Sequence, residues 1–142
     1  MTARDERGLL GEGLTRSIIG AFYDVYGDLG VGSREYREVL ALEWELVAKG
    51  HRVDREVAII VYYRGKPLAR QILDMILDET VVIEIKTAEH LRPDATSQLF
   101  SYLCATNLEL GLLLHYGREP KFYRVICQNH LKRHRGAIAG TD

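Results

Sequence analysis

Cysteine, proline and long apolar runs are all scarce in this 142-residue chain, and each scarcity excludes something. Two cysteines, Cys104 and Cys127, are too few and too far apart in sequence for a disulfide framework or a four-ligand zinc site. They read as small buried hydrophobes of a protein in a reducing compartment, the cytoplasm. No apolar run reaches the roughly 18 residues needed to span a bilayer, and the polar stretch from Met1 to Gly13 resembles neither a signal nor a transit peptide. A net charge of −1 gives no overall positive field that would announce a nucleic-acid binder. The local exception is Lys121 to Arg135, where Lys121, Arg124, Lys132, Arg133 and Arg135 occur without an acid. It reads first as a solvated tail and second as a phosphate-contacting strip. His51, His90, His115, His130 and His134 have no ligand spacing and read as surface or loop residues.

What is present is the balance of one ordinary domain able to close a core. Ile18, Ile19, Phe22, Val25 and Tyr26 fall at helical spacing and predict an amphipathic helix over 14–28. Ser33 can cap a second helix running to Lys49 before Gly50, with Val39, Leu40, Leu42, Trp44, Leu46 and Val47 on its buried side. From Val53 the pattern changes to β-branched and aromatic residues, giving a strand to Tyr63, a turn at Arg64-Gly65-Lys66-Pro67 and a returning strand over 69–77. After the turn Asp78-Glu79-Thr80, the nearly all-apolar Val81 to Lys86 predicts a central strand buried on both faces. A helix from about Asp94 to Thr106 and strands over 110–115 and 122–127 complete an ααβββαββ order, an α/β domain with a central mixed sheet flanked by helices. The expected division is a flexible segment over 1–13, one domain over 14–130 and a loose tail over 131–142.

Charged residues inside apolar strands require a partner, because an unpaired buried charge costs several kcal/mol. Asp74 interrupts Ile72-Leu73-Asp74-Met75-Ile76, and Glu84 and Lys86 interrupt the strand that follows. Alternation puts Glu84 and Lys86 on one side, and the short turn at 78–80 brings Asp74 near Glu84. Two adjacent carboxylates repel unless a proton or cation intervenes, and a set of hard oxygen donors suits magnesium or manganese. The competing reading is a cross-strand ion pair on a solvent-facing sheet edge. Glu35, Glu38, Glu43 and Glu45 lie along one helix, where charges ordinarily form the wet face.

Asp74 followed by Glu84-Ile85-Lys86 resembles the D…ExK signature of the PD-(D/E)XK nuclease superfamily, and Gln98-Leu99-Phe100-Ser101-Tyr102 is similar to the QxxxY element of its RecB-like members. A broader resemblance, from Leu14 to about Val125, is to the GxxExxxR proteins of that superfamily. It rests on Ile18-Ile19-Gly20-Ala21, Leu29-Gly30, Gly32 with Glu35, Ala41-Leu42, Glu45-Leu46, Gln98-Leu99 and Leu110-Gly111-Leu112. The chain departs from that pattern at Tyr26, Glu38 and Ile72.

The resemblance implies a restriction-endonuclease-like core and metal-assisted phosphodiester hydrolysis of DNA, or less favourably RNA. Asp74, Glu84, the carbonyl of Ile85 and Glu35 would hold Mg2+ or Mn2+, Lys86 would orient water or stabilise the transition state, and Gln98 and Tyr102 would position the substrate. A non-catalytic nucleic-acid or protein-binding module that keeps this fold is the alternative. A homo-oligomeric structural or regulatory protein, with Tyr62-Tyr63 at an interface, is a third. So small a domain would grip a duplex better as a homodimer.

Overall fold

The computed structural model describes residues 11–32, 36–132 and, for the backbone, 137–138. The elements run α1 (Glu12–Leu29), α2 (Arg37–Ala48), β1 (Val53–Tyr63), β2 (Lys66–Leu77), β3 (Val81–Lys86), α3 (Ala95–Cys104), β4 (Leu110–Tyr116), β5 (Pro120–Ile126) and β6 (Ala137–Ile138). The expected ααβββαββ order is therefore observed. One short strand is added where a loose tail was expected, since β6 pairs with Ile59 and Ile60 of β1.

The sheet order is β5-β4-β3-β2-β1-β6. Every neighbouring pair is antiparallel except β3 and β4, which run parallel and are joined by the α3 crossover. β3 is thus central, which explains why its residues from Val81 to Ile85 are all buried. Both hairpin turns are tight and place consecutive residues in the left-handed region, Arg64 (φ 49°) with Gly65 (φ 78°) and Asp78 (φ 50°) with Glu79 (φ 56°).

Alternation along β3 and β4 builds two cores. Val81, Ile83, Ile85, Leu110, Leu112, Leu114 and Tyr116 pack beneath Ile18, Phe22, Val25, Val39, Leu42 and Leu46 of α1 and α2. Val82 and Leu113 turn to the other side and meet Ala95, Leu99 and Leu103 of α3. Gly111 lets α3 come close, because a Cβ there would stand 3.0 Å from Leu99.

Four readings of the sequence need correction. On α2, Leu40, Trp44 and Val47 are exposed (41%, 72% and 54%), because Val39, Leu42 and Leu46 already fill the stripe that faces the sheet. Glu38 is no part of a wet face: it is 1% exposed and its charge lies close enough to Tyr116 to help push that hydroxyl's pKa up, after burial itself. The basic stretch after 121 is not one strip, since alternation sends Lys121 and Arg124 to opposite faces of β5 and Lys132 Nζ donates to the carbonyls of Thr106 (2.9 Å) and Leu108 (2.7 Å). Arg133 and Arg135 lie outside the described residues.

The histidines, read as surface or loop residues, are the fourth, since His115 is buried on β4. Two of them have structural partners. His51 bridges Ser17 of α1 and Asp78 of the β2–β3 turn, at 2.6 Å each, and buried His115 donates through Nε2 to the Ala88 carbonyl at 2.6 Å. Far apart in sequence, Cys104 at the end of α3 and Cys127 just after β5 meet with their Sγ atoms 2.7 Å apart.

Candidate functional site: a carboxylate pair where two strands part

The β2–β3 ladder comprises Leu77↔Val81, Ile76↔Val82 and Met75↔Ile83, and the next rung in register would be Asp74 opposite Glu84. Side chains take over there. Glu84 Oε1 accepts the Asp74 backbone N–H at 3.0 Å, and Asp74 Oδ2 accepts the Ile85 backbone N–H at 2.7 Å. Each carboxylate is thus inserted between the strands and tied to the backbone of the facing strand, which satisfies two donors that a regular rung would pair with carbonyls. The β1–β2 ladder is interrupted at the same level, at Glu56 opposite Asp74, with Glu56 at φ 52°. Below this point Met75 and Leu77 belong to the α1/α2 core; above it Leu73 belongs to the α3 core. The sheet therefore turns over at Asp74, and β2 and β3 part there.

The electrostatics follow from this burial. Glu84 is 6% exposed, and burial followed by the neighbouring charge of Asp74 pushes its carboxyl up to about 7. Burial also raises Asp74, against the opposing pull of the Ile85 N–H and of Lys86 and Arg55. Lys86 forms no salt bridge among the described residues although its charge is felt at both carboxylates. This excludes the cross-strand ion pair on a wet edge, since β3 is central and no ion pair closes the group.

A cleft of about 590 Å3 opens over the pair. Asp74, Glu84, Ile85 and Lys86 form its floor, Gln98 and Tyr102, one helical turn apart, line it from α3, and Tyr36, just before α2, and Val39, on α2, line it from the other side. Tyr102 feels the site: burial, then the charges of Glu84 and Asp74, raises its hydroxyl pKa. Gly32 is required for the approach of the α1–α2 connection, because a Cβ there would stand 2.8 Å from Thr87 Cβ and from the Tyr116 carbonyl, to which Gly32 N–H donates at 2.8 Å. Glu35 lies outside the described residues, between Gly32 and cleft-lining Tyr36. Among the described residues no group of three or more acids, histidines or cysteines is placed to hold a metal, so two carboxylates, not three, converge.

The structure thus brings together Asp74, Glu84, Ile85, Lys86, Gln98 and Tyr102. Sequence reasoning missed the connection from Thr87 to Asp94, which supplies His90 and Arg92 to the cleft wall. Its only signal was position, because a segment joining a central strand to a crossover helix has to pass over that strand's end. Arg92 is held beside Asp94 at 3.2 Å, and this bond draws the Asp94 carboxyl below its ordinary range.

No described helix is long and apolar enough to cross a membrane. A search of the curated proteins finds no match. Among solved structures the fold is similar to the crystal structure of SSO0001, with a TM-score of 0.52 and 22% identity, over 83% of this chain and 60% of that one. This chain therefore spans about three fifths of the length of that relative, and the likeness is one of fold. The family model of the PD-(D/E)XK nuclease superfamily matches residues 12–125, from the first residue of α1 almost to the end of β5. With that match, and with the D…ExK residues gathered where two central strands separate, the chain belongs to the PD-(D/E)XK nuclease superfamily.

Proposed function

We propose that this protein is a divalent-metal-dependent nuclease that hydrolyses phosphodiester bonds of DNA, with RNA the less favoured substrate. The observation that carries the reading is the mutual insertion of Asp74 and Glu84 between β2 and β3. One carboxylate oxygen on each side is committed to a backbone N–H, while burial raises both acids and the charge of Asp74 raises Glu84 further. A divalent cation would relieve the repulsion between them, and an all-oxygen donor set fits Mg2+ or Mn2+. Asp74, Glu84 and the carbonyl of Ile85 would hold it, with Glu35 as a further donor. Bound there, the cation would acidify water and offset charge on the attacked phosphate.

Lys86, on the same face of β3 as Glu84, brings a compact positive charge to a phosphate oxygen or holds the attacking water by hydrogen bond. Gln98 and Tyr102 face the floor from α3 and position the sugar-phosphate backbone. Placement among the GxxExxxR proteins and kinship with the RecB-like QxxxY members rest on the spacings at Gly32 and Glu35 and at Gln98 and Tyr102. Two copies acting together would supply the contact area that one domain lacks.

Calorimetric titration of Mg2+ and Mn2+ into the native protein and Asp74→Ala tests the reading, followed by cleavage assays on labelled DNA and RNA. Metal affinity and cleavage both lost in the variant are expected. The convergence of only two acids among the described residues favours a second reading, a binding module that keeps the fold without catalysis. Nucleic-acid binding without metal affinity at millimolar magnesium would select it.

A further inference from the structure

Above the point where the sheet turns over, β1 and β2 continue as a long hairpin ending at Arg64 and Gly65. From Ala58 to Leu73 this arm contains Arg64, Lys66 and Arg70 and no acid, in a protein whose net charge is −1. None of the three cations forms an ion pair among the described residues, and Arg64 stands 5.2 Å over the Tyr63 ring. Tyr62 and Tyr63 are exposed (37% and 57%) with Leu68 beside them. Tyr62 and Arg70 share one face of the arm, Tyr63 and Lys66 the other, and Arg64 stands at the tip.

The arm also points out of the site. Ile72 lines the cleft with Asp74, and alternation places Arg70 on the same side of β2 as Ile72. At roughly 3.3 Å per residue, Lys66 lies about 26 Å along the strand from Asp74, several nucleotides away. We propose that the cleft-side face of the β1–β2 arm is the surface over which a single-stranded stretch of nucleic acid leaves the cleft, with Arg70 and, at the tip, Arg64 on its phosphates and Tyr62, on the same side of the arm as Arg70, under a base. Unpaired bases are the fitting partner because they present open ring faces to an exposed tyrosine, whereas a duplex keeps its bases stacked on each other. The inference rests on the nuclease reading of the cleft and adds to it the strandedness and path of the substrate.

The test is fluorescence anisotropy of a labelled oligothymidylate without metal, beside hydrolysis of bis-p-nitrophenyl phosphate, which is small enough to touch the cleft alone. The native protein is expected to bind the oligothymidylate more tightly than a duplex. Tyr62→Ala should weaken binding by roughly tenfold at unchanged salt slope. Arg64→Ala and Arg70→Ala combined should lower the slope of log affinity against log salt by about 1.4. Hydrolysis of the small ester should stay at the native level in both. Arm variants that bind as the native protein does overturn this inference and leave the cleft reading intact. Arm-dependent binding without hydrolysis of any substrate overturns the nuclease reading alone. Arm-dependent capture of anionic vesicles in place of the oligonucleotide assigns the surface to a membrane and overturns the inference.

The cysteine pair carries a second inference from a separate observation. Cys104 and the more buried Cys127 both line a surface pocket of about 500 Å3 together with Phe100 and Leu131, and their two Sγ atoms are 2.7 Å apart. We infer that Cys104 and Cys127 join in a disulfide when oxidised glutathione is the oxidant. The half-buried Cys104 sulfur, as thiolate, attacks one glutathione sulfur and expels the other as glutathione thiolate. Cys127 then loses its proton and displaces the second glutathione, so that two protein thiols are oxidised and one glutathione disulfide is reduced to two thiols. Burial, then Cys127, pushes the Cys104 thiol up to about 11, so the rate rises with pH across the neutral range. The bond would tie the end of α3, the helix carrying Gln98 and Tyr102, to the exit of β5.

Mass spectrometry of the oxidised protein should show the loss of two hydrogens and no free thiol, and Cys127→Ser should stop at one glutathione on Cys104. A stable glutathione adduct on the native protein, or two thiols surviving oxidation, would overturn the inference.

Discussion

The two faces of β3 differ in what they are asked to do. Toward α1 and α2 the strand presents Val81, Ile83 and Ile85, buried in the larger hydrophobic cluster. Toward α3 it presents Val82, then Glu84, then Lys86, passing within six residues from core to charge. The first face supplies the apolar burial that holds β3 in the middle of the sheet, so the second can keep two acids and a lysine that no hydrophobic core would select. A site of this kind needs its support on the opposite side of the same strand.

The largest expected effect separates the faces by activity. Lys86→Ala should lower the rate of phosphodiester cleavage by roughly 100-fold or more while the urea midpoint of unfolding stays near the native value. Cleavage at the native rate would remove Lys86 from the chemistry. On the opposite face, Leu112→Ala should cost about 2–5 kcal/mol in urea denaturation, because a fully buried side chain would leave a cavity beneath α1 and α2. A cost below 1 kcal/mol would mean that this face is not the support described.

Acidity sharpens the contrast. In the folded protein Glu84 is raised from an ordinary 4.5 to about 7, so between those values the native state binds more protons than the unfolded one. Its contribution to stability is greatest below about 4.5, falls as pH rises, and is fully lost above about 7. Asp74, also raised, acts in the same direction. Metal-free protein should therefore be less stable at pH 8 than at pH 5 by an amount on the order of a few kcal/mol from this site. Glu84→Gln should flatten that dependence, and saturating Mg2+ should oppose it by favouring the ionised pair. A native protein whose thermal midpoint rises over this range because of Glu84 would contradict the burial argument.

The smallest effect lies on α2, at the outer limit of the supporting core. Trp44, the chain's one tryptophan, stands 72% exposed. Its fluorescence should be solvent-like and quenched by iodide, and Trp44→Gln should shift stability by no more than about 0.5 kcal/mol. A blue-shifted, shielded emission would show that another surface covers this side of the helix.

Much of the fold was legible because periodicity reports burial directly. The continuous run from Val81 to Lys86 identified the central strand, and the turns expected at 64–67 and 78–80 marked both hairpins, although Lys66, Pro67 and Leu68 belong to β2, which starts three residues earlier than the expected strand over 69–77. Periodicity failed on α2, where apolar residues ring the helix and no count could say that Val39, Leu42 and Leu46 would be inside while Leu40, Trp44 and Val47 stay outside. Glu38 misled for the complementary reason, since an acid on an amphipathic helix is ordinarily solvated.

For the site, local sequence determined that Asp74, Glu84 and Lys86 share a hairpin and that the last two share a face, because strand alternation and a short turn leave little freedom. Tertiary structure decided the rest. It replaced a rung of the ladder by two carboxylates, Glu84 accepting the Asp74 N–H and Asp74 accepting the Ile85 N–H, turned the sheet over at Asp74, and closed the cleft with α3 and the start of α2. It also brought Cys104 to Cys127. Those contacts join residues distant along the chain, and their partners are chosen by how the helices pack on the sheet, which no local pattern records.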